Sequence, residues 1–306
     1  MDLDLDQLRA LAATVRGGTL EAAARELHVT PSAISERLRA LEVATGRILL
    51  VRAKPVQVTG SGQAVLRLAR QVDLLAAEVV RELGGDQPSA VPTLPIAVNA
   101  DSIATWVLPA LAPLAGEVCF ELHREDQEHT SDLLRAGTVM AALTTDAEPV
   151  PGCSSTRLGS MRYRPMATAD FSWRWFPDGP PPAEALARAL VVVFDREDDL
   201  QHGYLRAQAG SDIAPPAHYV PAAADHVSAI TLGLGWGMVP ELQTQAVTAG
   251  LVALDPTHSV DVVLYRQQWR LHSTALDRVR DVVTAAAKRV LEQSSGSEAC
   301  DDERER

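Results

Sequence analysis

Between Thr19 and Lys54 the sequence gathers side chains suited to touching a nucleic acid. Thr19, Thr30, Ser32 and Ser35 supply short hydroxyls for bases or phosphates. Arg37, Arg39, Arg52 and Lys54 supply cations that reach phosphate or guanine, and Glu36 shares their outer face. A second set lies further along. Asp101 and Ser102 follow a strand-like run, and Trp106 comes one helical turn later. The stretch Glu125-Asp126-Gln127-Glu128-His129-Thr130 is rich in acids, as is Arg196-Glu197-Asp198-Asp199, and Thr144 and Asp225 fall at two other strand-to-helix turns. Free N–H groups and a hydroxyl at a helix start suit a carboxylate, and buried acids suit an ammonium or guanidinium. An indole face suits an aliphatic stem or a guanidinium. The candidate effector contacts are therefore Asp101, Ser102, Trp106, Glu125, Asp126, His129, Thr130, Thr144, Asp199 and Asp225, with His226 equally suited to a solvated place.

Other chemistry is poorly supported. His123 and His129 are six residues apart, unlike the HExxH spacing that puts two His on one helix face. No GxSxG, P-loop or helix-opening GxGxxG occurs, so the expectation is no enzyme, no catalytic residue and no cofactor. Cys119, Cys153 and Cys300 lack CxxC spacing, which argues against a disulfide framework and a metal site; the first two read as buried apolar fillers. No apolar run approaches the roughly 20 residues of a membrane span, and the expected location is the cytoplasm.

The first set of residues needs a rigid mount, and the pattern supplies one. Asp4 and Gln7 form a candidate capping box before Leu5, Leu8, Leu11, Ala12 and Val15, and Gly17-Gly18 ends that helix. Thr19 caps a second helix with Leu20, Ala23, Ala24 and Leu27 inside. His28-Val29 is a turn, Thr30 caps a third helix with Pro31 at its first position, and Ile34, Leu38 and Leu41 point to the core. This is the layout of a helix-turn-helix, against the plainer reading of a three-helix packing unit. Ile48–Val51 reads as a short buried strand, Arg52, Lys54 and Pro55 as a basic tip, and Val56–Thr59 as a return strand, which together make a wing. Residues 1–70 hold ten Lys/Arg against seven Asp/Glu, while the whole chain carries −12, so the acidic charge lies in the body.

From Gly60 a long helix places Val65, Leu68, Val72, Leu75 and Val79 on an a/d seam, predicting pairing of two chains. Alternating strands and helices then imply a mostly parallel sheet with helices on both faces. A Pro-rich break near Pro177–Pro182 suggests two lobes around a cleft. The expected fold is α/β overall: an all-α winged helix-turn-helix (1–60), a dimerisation helix (61–84), a hinge (85–92), a two-lobed α/β regulatory domain (93–292) and a disordered tail (293–306). The first lobe is expected at about 93–163 and 267–292, the second at about 164–266.

The segments AAARELHVTPSAISERLRALE and LLVRAKPVQVTGSG resemble the head of the LysR-type transcriptional regulators, and the resemblance extends to about Leu291. Leu50 stands where that family usually has Phe. The stretches 97–111, 125–137, 149–163, 194–201, 218–221 and 233–241 are similar to the branch that controls export of basic amino acids. The resemblance implies a lobe pair like the periplasmic binding proteins and sensing of lysine, arginine or histidine. It also implies binding to near-palindromic double-stranded DNA as a homodimer or dimer of dimers, with RNA polymerase as a further partner. A different small-molecule effector, or an architectural or replication-origin DNA-binding role without ligand control, is the alternative.

Overall fold

The computed structural model describes residues 3–51, 53–83, 91–124, 130–210, 212–244 and 250–291. The chain forms two compact units. One comprises Met1–Val98, Leu111–Thr156 and Arg266–Asp281; the other comprises Asn99–Ala110, Arg157–Tyr265 and Val282–Arg306.

The first unit begins with three helices, α1 (Leu5–Gly17), α2 (Leu20–Glu26) and α3 (Pro31–Thr45). Each starts on a side-chain cap that satisfies amide groups the helix leaves free. Asp4 Oδ1 accepts from the Asp6 and Gln7 amides, Thr19 Oγ1 from Ala22 and Thr30 Oγ1 from Ala33. The capping box at Asp4 is one-sided, because Gln7 Oε1 is buried without a partner. Gly18, at φ 67°, ends α1 in the left-handed region that a Cβ disfavours. His28 takes φ 53° in the turn between α2 and α3, an uncommon place that His tolerates better than branched residues. Leu8, Leu11, Ala23, Ala24, Ile34, Leu38 and Leu41 close the core. Leu5, expected inside, is exposed at the first turn of α1.

The wing is smaller than its apolar run implies. Strands β1 (Leu50–Val51) and β2 (Gln57–Val58) pair antiparallel, Leu50 opposite Val58. Leu49 is buried, but Ile48 and Val51 are exposed, which corrects the expected buried strand. Leu49 enters the head's core just before the two-stranded ribbon, whose Leu50 and Val58 are partly buried against that core.

Helix α4 (Gly60–Glu82) then leaves the wing. Val65 and Val72, assigned to the pairing seam, pack against the core of the three-helix head, whereas Leu68, Leu75 and Val79 are exposed. The seam is thus divided between an intramolecular contact and a free face. Strand β3 (Thr93–Val98) pairs in parallel with β4 (Cys119–Arg124) and β5 (Ala141–Thr144), and α7 (Thr130–Arg135) joins the last two. Cys119 is exposed on β4 and not the buried filler expected.

In the second unit, β3 is followed by α5 (Ala100–Ser102), a π-helical turn (Ile103–Val107) and α6 (Leu108–Leu111). Strand β6 (Cys153–Thr168) runs from the first unit into the second, and β11 (Val260–Trp269) runs back. There β6 pairs antiparallel with β9 (Gly237–Pro240) and β10 (Leu251–Ala253), while β7 (Val191–Val193) and β8 (Ala217–Tyr219) are parallel. The β7–β8 pair is a separate two-stranded sheet, and the seven-stranded sheet is mixed, parallel at β3, β4 and β5 and antiparallel where β9 and β10 join β6, which corrects the mostly parallel expectation. Helix α10 (Leu200–Ala209) and α11 (Ala223–Thr231) flank it. Trp236 is fully buried against Tyr204, with ring centroids 5.4 Å apart. Helix α13 (Thr274–Val290) closes the described chain. Residue 84 of the expected dimerisation helix, 85–90 of the expected hinge and 293–306 of the expected tail lie outside the described residues.

Candidate functional site

On the head, the start of α3 presents Ser32, Glu36 and Arg39 to solvent, with Ser35 half-buried. Thr19 and Thr30 spend their hydroxyls on capping, so their contribution to a ligand is through the helix starts they fix. Arg37 is not a free cation: its guanidinium donates to Asp6 Oδ2 at 3.0 Å. The pair ties α3 to the first turn of α1 and, being exposed, contributes only about 0.2–1 kcal/mol. Lys54 is exposed on the wing, and Arg52 lies outside the described residues. A half-open groove of about 580 Å³ brings Thr19, Ser35, Arg39 and Lys54 together over a floor of Leu20, Leu38 and Leu50. Glu21 and Glu42 line it as well, so its two cations are matched by two anions, and Arg39, Lys54 and the hydroxyls are the groups it offers a sugar–phosphate strand. Arg39→Ala is expected to weaken duplex binding uniformly across sequences and to lower the slope of log affinity against log salt by about one, read by anisotropy titration.

The second unit holds a denser constellation. Asp101 and Ser102 sit at the start of α5, followed by the π-helical turn that carries Trp106. One extra residue in a helical turn misaligns the backbone ladder, and such turns are frequent at functional sites. Within eight residues, Asn99 Oδ1, Ser102 Oγ and Trp106 Nε1 are all buried without a hydrogen-bond partner. Asp101 receives a 2.6 Å hydrogen bond from the Tyr163 hydroxyl of β6. Burial raises its pKa to about 6, against the lowering effect of that hydrogen bond and with a further rise from the Asp198 carboxylate. Burial also raises Asp198, which accepts from the Leu200 amide at 3.0 Å. Burial lowers His226, whose Nε2 lies 3.2 Å from the Val192 carbonyl. The assembly brings two carboxylates, Asp101 and Asp198, near buried polar atoms of Asn99, Ser102 and Trp106, a chemistry that suits a polar ligand.

Three residues here were not singled out as contacts from sequence. Tyr163 has its partner 62 positions away. Asp198, not Asp199, is the inward carboxylate: Asp199 is exposed and pairs with Arg206 at 2.9 Å. His226, not Asp225, is buried on α11, and Asp225 faces solvent. Asp225 and His226 are one residue apart on α11, a rotation of about 100°.

The remaining candidates belong to the first unit. Thr130 is buried at the start of α7. Thr144 is buried at the end of β5, where its hydroxyl accepts from the Asp146 amide at 3.1 Å. Glu125, Asp126 and His129 lie outside the described residues. Among the described residues there is no cluster of His, Cys, Asp and Glu able to hold a metal ion, and no helix is long and apolar enough to cross a membrane.

Comparison with known proteins agrees with this division of labour. Residues 5–63 match the family described as bacterial regulatory helix-turn-helix protein, lysR family, and residues 89–288 match the LysR substrate binding domain. The chain is 43% identical over 287 residues to the HTH-type transcriptional regulator LysG of Mycobacterium bovis, covering 93% of this chain and 94% of that protein. The crystal structure of ArgP from Mycobacterium tuberculosis superposes with a TM-score of 0.83 at 41% identity, covering 95% of this chain and all of that one. Full-length LysG from Corynebacterium glutamicum, solved with its effector Arg bound, gives 0.73 at 35% identity over 94% of this chain and 99% of that one. The helix-turn-helix head, the regulatory fold and these relatives make the chain a member of the LysR family of DNA-binding transcriptional regulators, in the LysG and ArgP branch.

Proposed function

We propose that the chain senses a basic amino acid (lysine, arginine or histidine) and controls transcription of an exporter gene in response. One observation carries this reading: Asp101 is a half-buried carboxylate bonded to a neutral phenol, the Tyr163 hydroxyl, beside buried unpartnered polar atoms of Asn99, Ser102 and Trp106. Such a carboxylate, largely withdrawn from water, is stabilised by a bound cation. Ser102 Oγ and the amides at the start of α5 suit the ligand carboxylate, Trp106 Nε1 offers a donor, and Asp101 with Asp198 suits the ammonium or guanidinium. Arginine in the LysG structure supports the same ligand class here. The other partners in this reading are a near-palindromic duplex, a second copy paired through the free face of α4, a further pairing of dimers, and RNA polymerase.

Calorimetry of the full chain against the twenty amino acids tests the ligand class. Binding confined to lysine, arginine and histidine is the expected result; no binding of any of the three would sink it. Footprinting upstream of a transporter gene with and without the bound amino acid tests the second half. A protected site that lengthens, shortens or bends differently with ligand supports control, and an unchanged footprint contradicts it.

A further inference from the structure

At 3.6 residues per turn, α4 presents three stripes. Val65, Leu66, Ala69 and Val72 lie on one and pack into the head's core. Leu68, Leu75 and Val79 lie on another and are exposed. Arg67, Arg70, Leu74 and Glu78 follow one another at spacings of 3, 4 and 4 on the third, and the regulatory part of the same unit covers it. The Arg67 backbone lies against the end of α7, so closely that a Cβ on Gly137 (φ 70°) would sit 3.1 Å from Arg67 Cα. Burial lowers the Arg70 pKa to about 10 against the charge of Glu121 on β4, and Leu74 is buried. Glu78 ends the stripe. It is only 8% exposed, and its Oε1 accepts from the Ser273 hydroxyl at 2.7 Å and from the Ala275 amide at 2.9 Å.

We propose that Glu78 is a latch: it caps the first turn of α13 and so transmits displacement of that helix to the linker helix and the DNA-reading head. A carboxylate at a helix N-terminus meets free amides and the positive end of the dipole. Its two bonds are of the made-or-broken kind, because the group is buried and water offers no intermediate partner. The position of α13 makes the contact informative. Its first half belongs to the unit that carries the head, and its second half belongs to the unit that carries Asp101 and Tyr163. Glu78 is bonded to Ser273 and Ala275, away from the helix start that carries Asp101 and from the outer face of α3, so it is a positioning residue. That the displacement originates in amino-acid binding rests on the function proposed above; the latch itself does not.

The test uses the full chain with Glu78→Gln, which keeps the shape and removes the charge, and Glu78→Ala. Hydrogen exchange without ligand reads the latch directly. The amides of residues 275–277 are expected to exchange at least tenfold faster in Glu78→Ala, and exchange equal to wild type would overturn the proposal. Transmission is read on a duplex selected by the wild-type chain from a random library. The ratio of its affinity with and without L-arginine is expected to collapse toward one in Glu78→Gln while calorimetry shows L-arginine binding within threefold of wild type. A preserved ratio would overturn transmission. If wild type binds no basic amino acid, the ligand reading fails, and duplex bending by the two ligand-free variants then decides, unaltered bending counting against the latch. Should Glu78→Ala fail to fold, Glu78→Asp, which keeps the charge and withdraws it by one methylene, is expected to show a smaller change in the same direction in both readouts, and no change would overturn the proposal.

Discussion

Asp101→Asn is expected to weaken L-arginine binding roughly 30- to 3,000-fold, the effect of truncating one partner of a buried charge pair at about 2–5 kcal/mol. The substitution keeps the shape of the side chain and an oxygen to accept from Tyr163, so lost affinity reports lost charge. The pH dependence follows from the same group. Burial raises Asp101 from 3.8 to about 6, and only its ionised form attracts a cation. Affinity should therefore be level above about pH 7 and fall by about a factor of ten per pH unit well below 6. Asn at 101 should flatten that profile, whereas a wild-type profile with no slope between pH 5 and 7 would show that Asp101 does not hold the ligand. Unliganded stability moves in a complementary way. Between pH 3.8 and about 6 the folded chain retains a proton that the unfolded chain has released, so stability falls as pH rises through that window. The accumulated cost of ionising the buried group is about 3 kcal/mol above it. Asp101→Asn should remove this slope and leave the ligand-free variant more stable than wild type at pH 8 by urea unfolding. Asp198 and His226 are shifted by burial nearby, and the difference between variant and wild type separates their titration from that of Asp101.

How much of this was legible in the sequence depended on how far each residue's partner lies along the chain. The head could be read because its information is local. Thr19 and Thr30 cap helices three residues away, Pro31 sits where its missing N–H is harmless, and Ile34, Leu38 and Leu41 mark one face. Burial within the wing was less accessible, since the run Ile48–Val51 is apolar throughout and only the fold selects Leu49 as its inward member. Strand β6 was missed entirely: Arg157, Arg162, Arg164 and Pro165 interrupt the alternation, and two of those cations find acids 99 and 77 positions away, Asp261 and Glu241. The site shows the same divide. Ser102 and Trp106 stand out from a strand-to-helix turn, but Tyr163 acquires meaning only opposite Asp101. Asp198 was passed over for its neighbour because the turn is set by Asp195, whose Oδ1 accepts from the Glu197 and Asp198 amides and so aims the next carboxylate inward.

Replacing both Leu75 and Val79 by Asp should convert the proposed dimer to a monomer at micromolar concentration while leaving the proposed L-arginine binding intact. Both side chains lie on the stripe of α4 that neither the head nor the regulatory part of its own unit covers, exposed by 37% and 53%. Burying a Leu or Val side chain contributes roughly 1.5–3 kcal/mol, and a twofold interface counts each position twice. The substitutions remove that contribution and place four carboxylates face to face, so sedimentation should report the mass of one chain. The consequence for DNA is larger than for mass. A paired reader binds its second half-site with the advantage of tethering, on the order of 10²–10⁴, and a monomer loses it. Affinity for a duplex with two half-sites should fall by that factor to the level of a single half-site, with helical content unchanged. Leu66→Asp provides the contrast, because Leu66 is fully buried in the head's core and its substitution should unfold that domain, not merely separate the copies. If the Leu75/Val79 variant sediments as wild type, the free stripe is not the pairing surface. The head's modest excess of three positive charges would then have to hold DNA without a partner copy joined through this helix, and the expected dependence of affinity on half-site spacing would be lost with it.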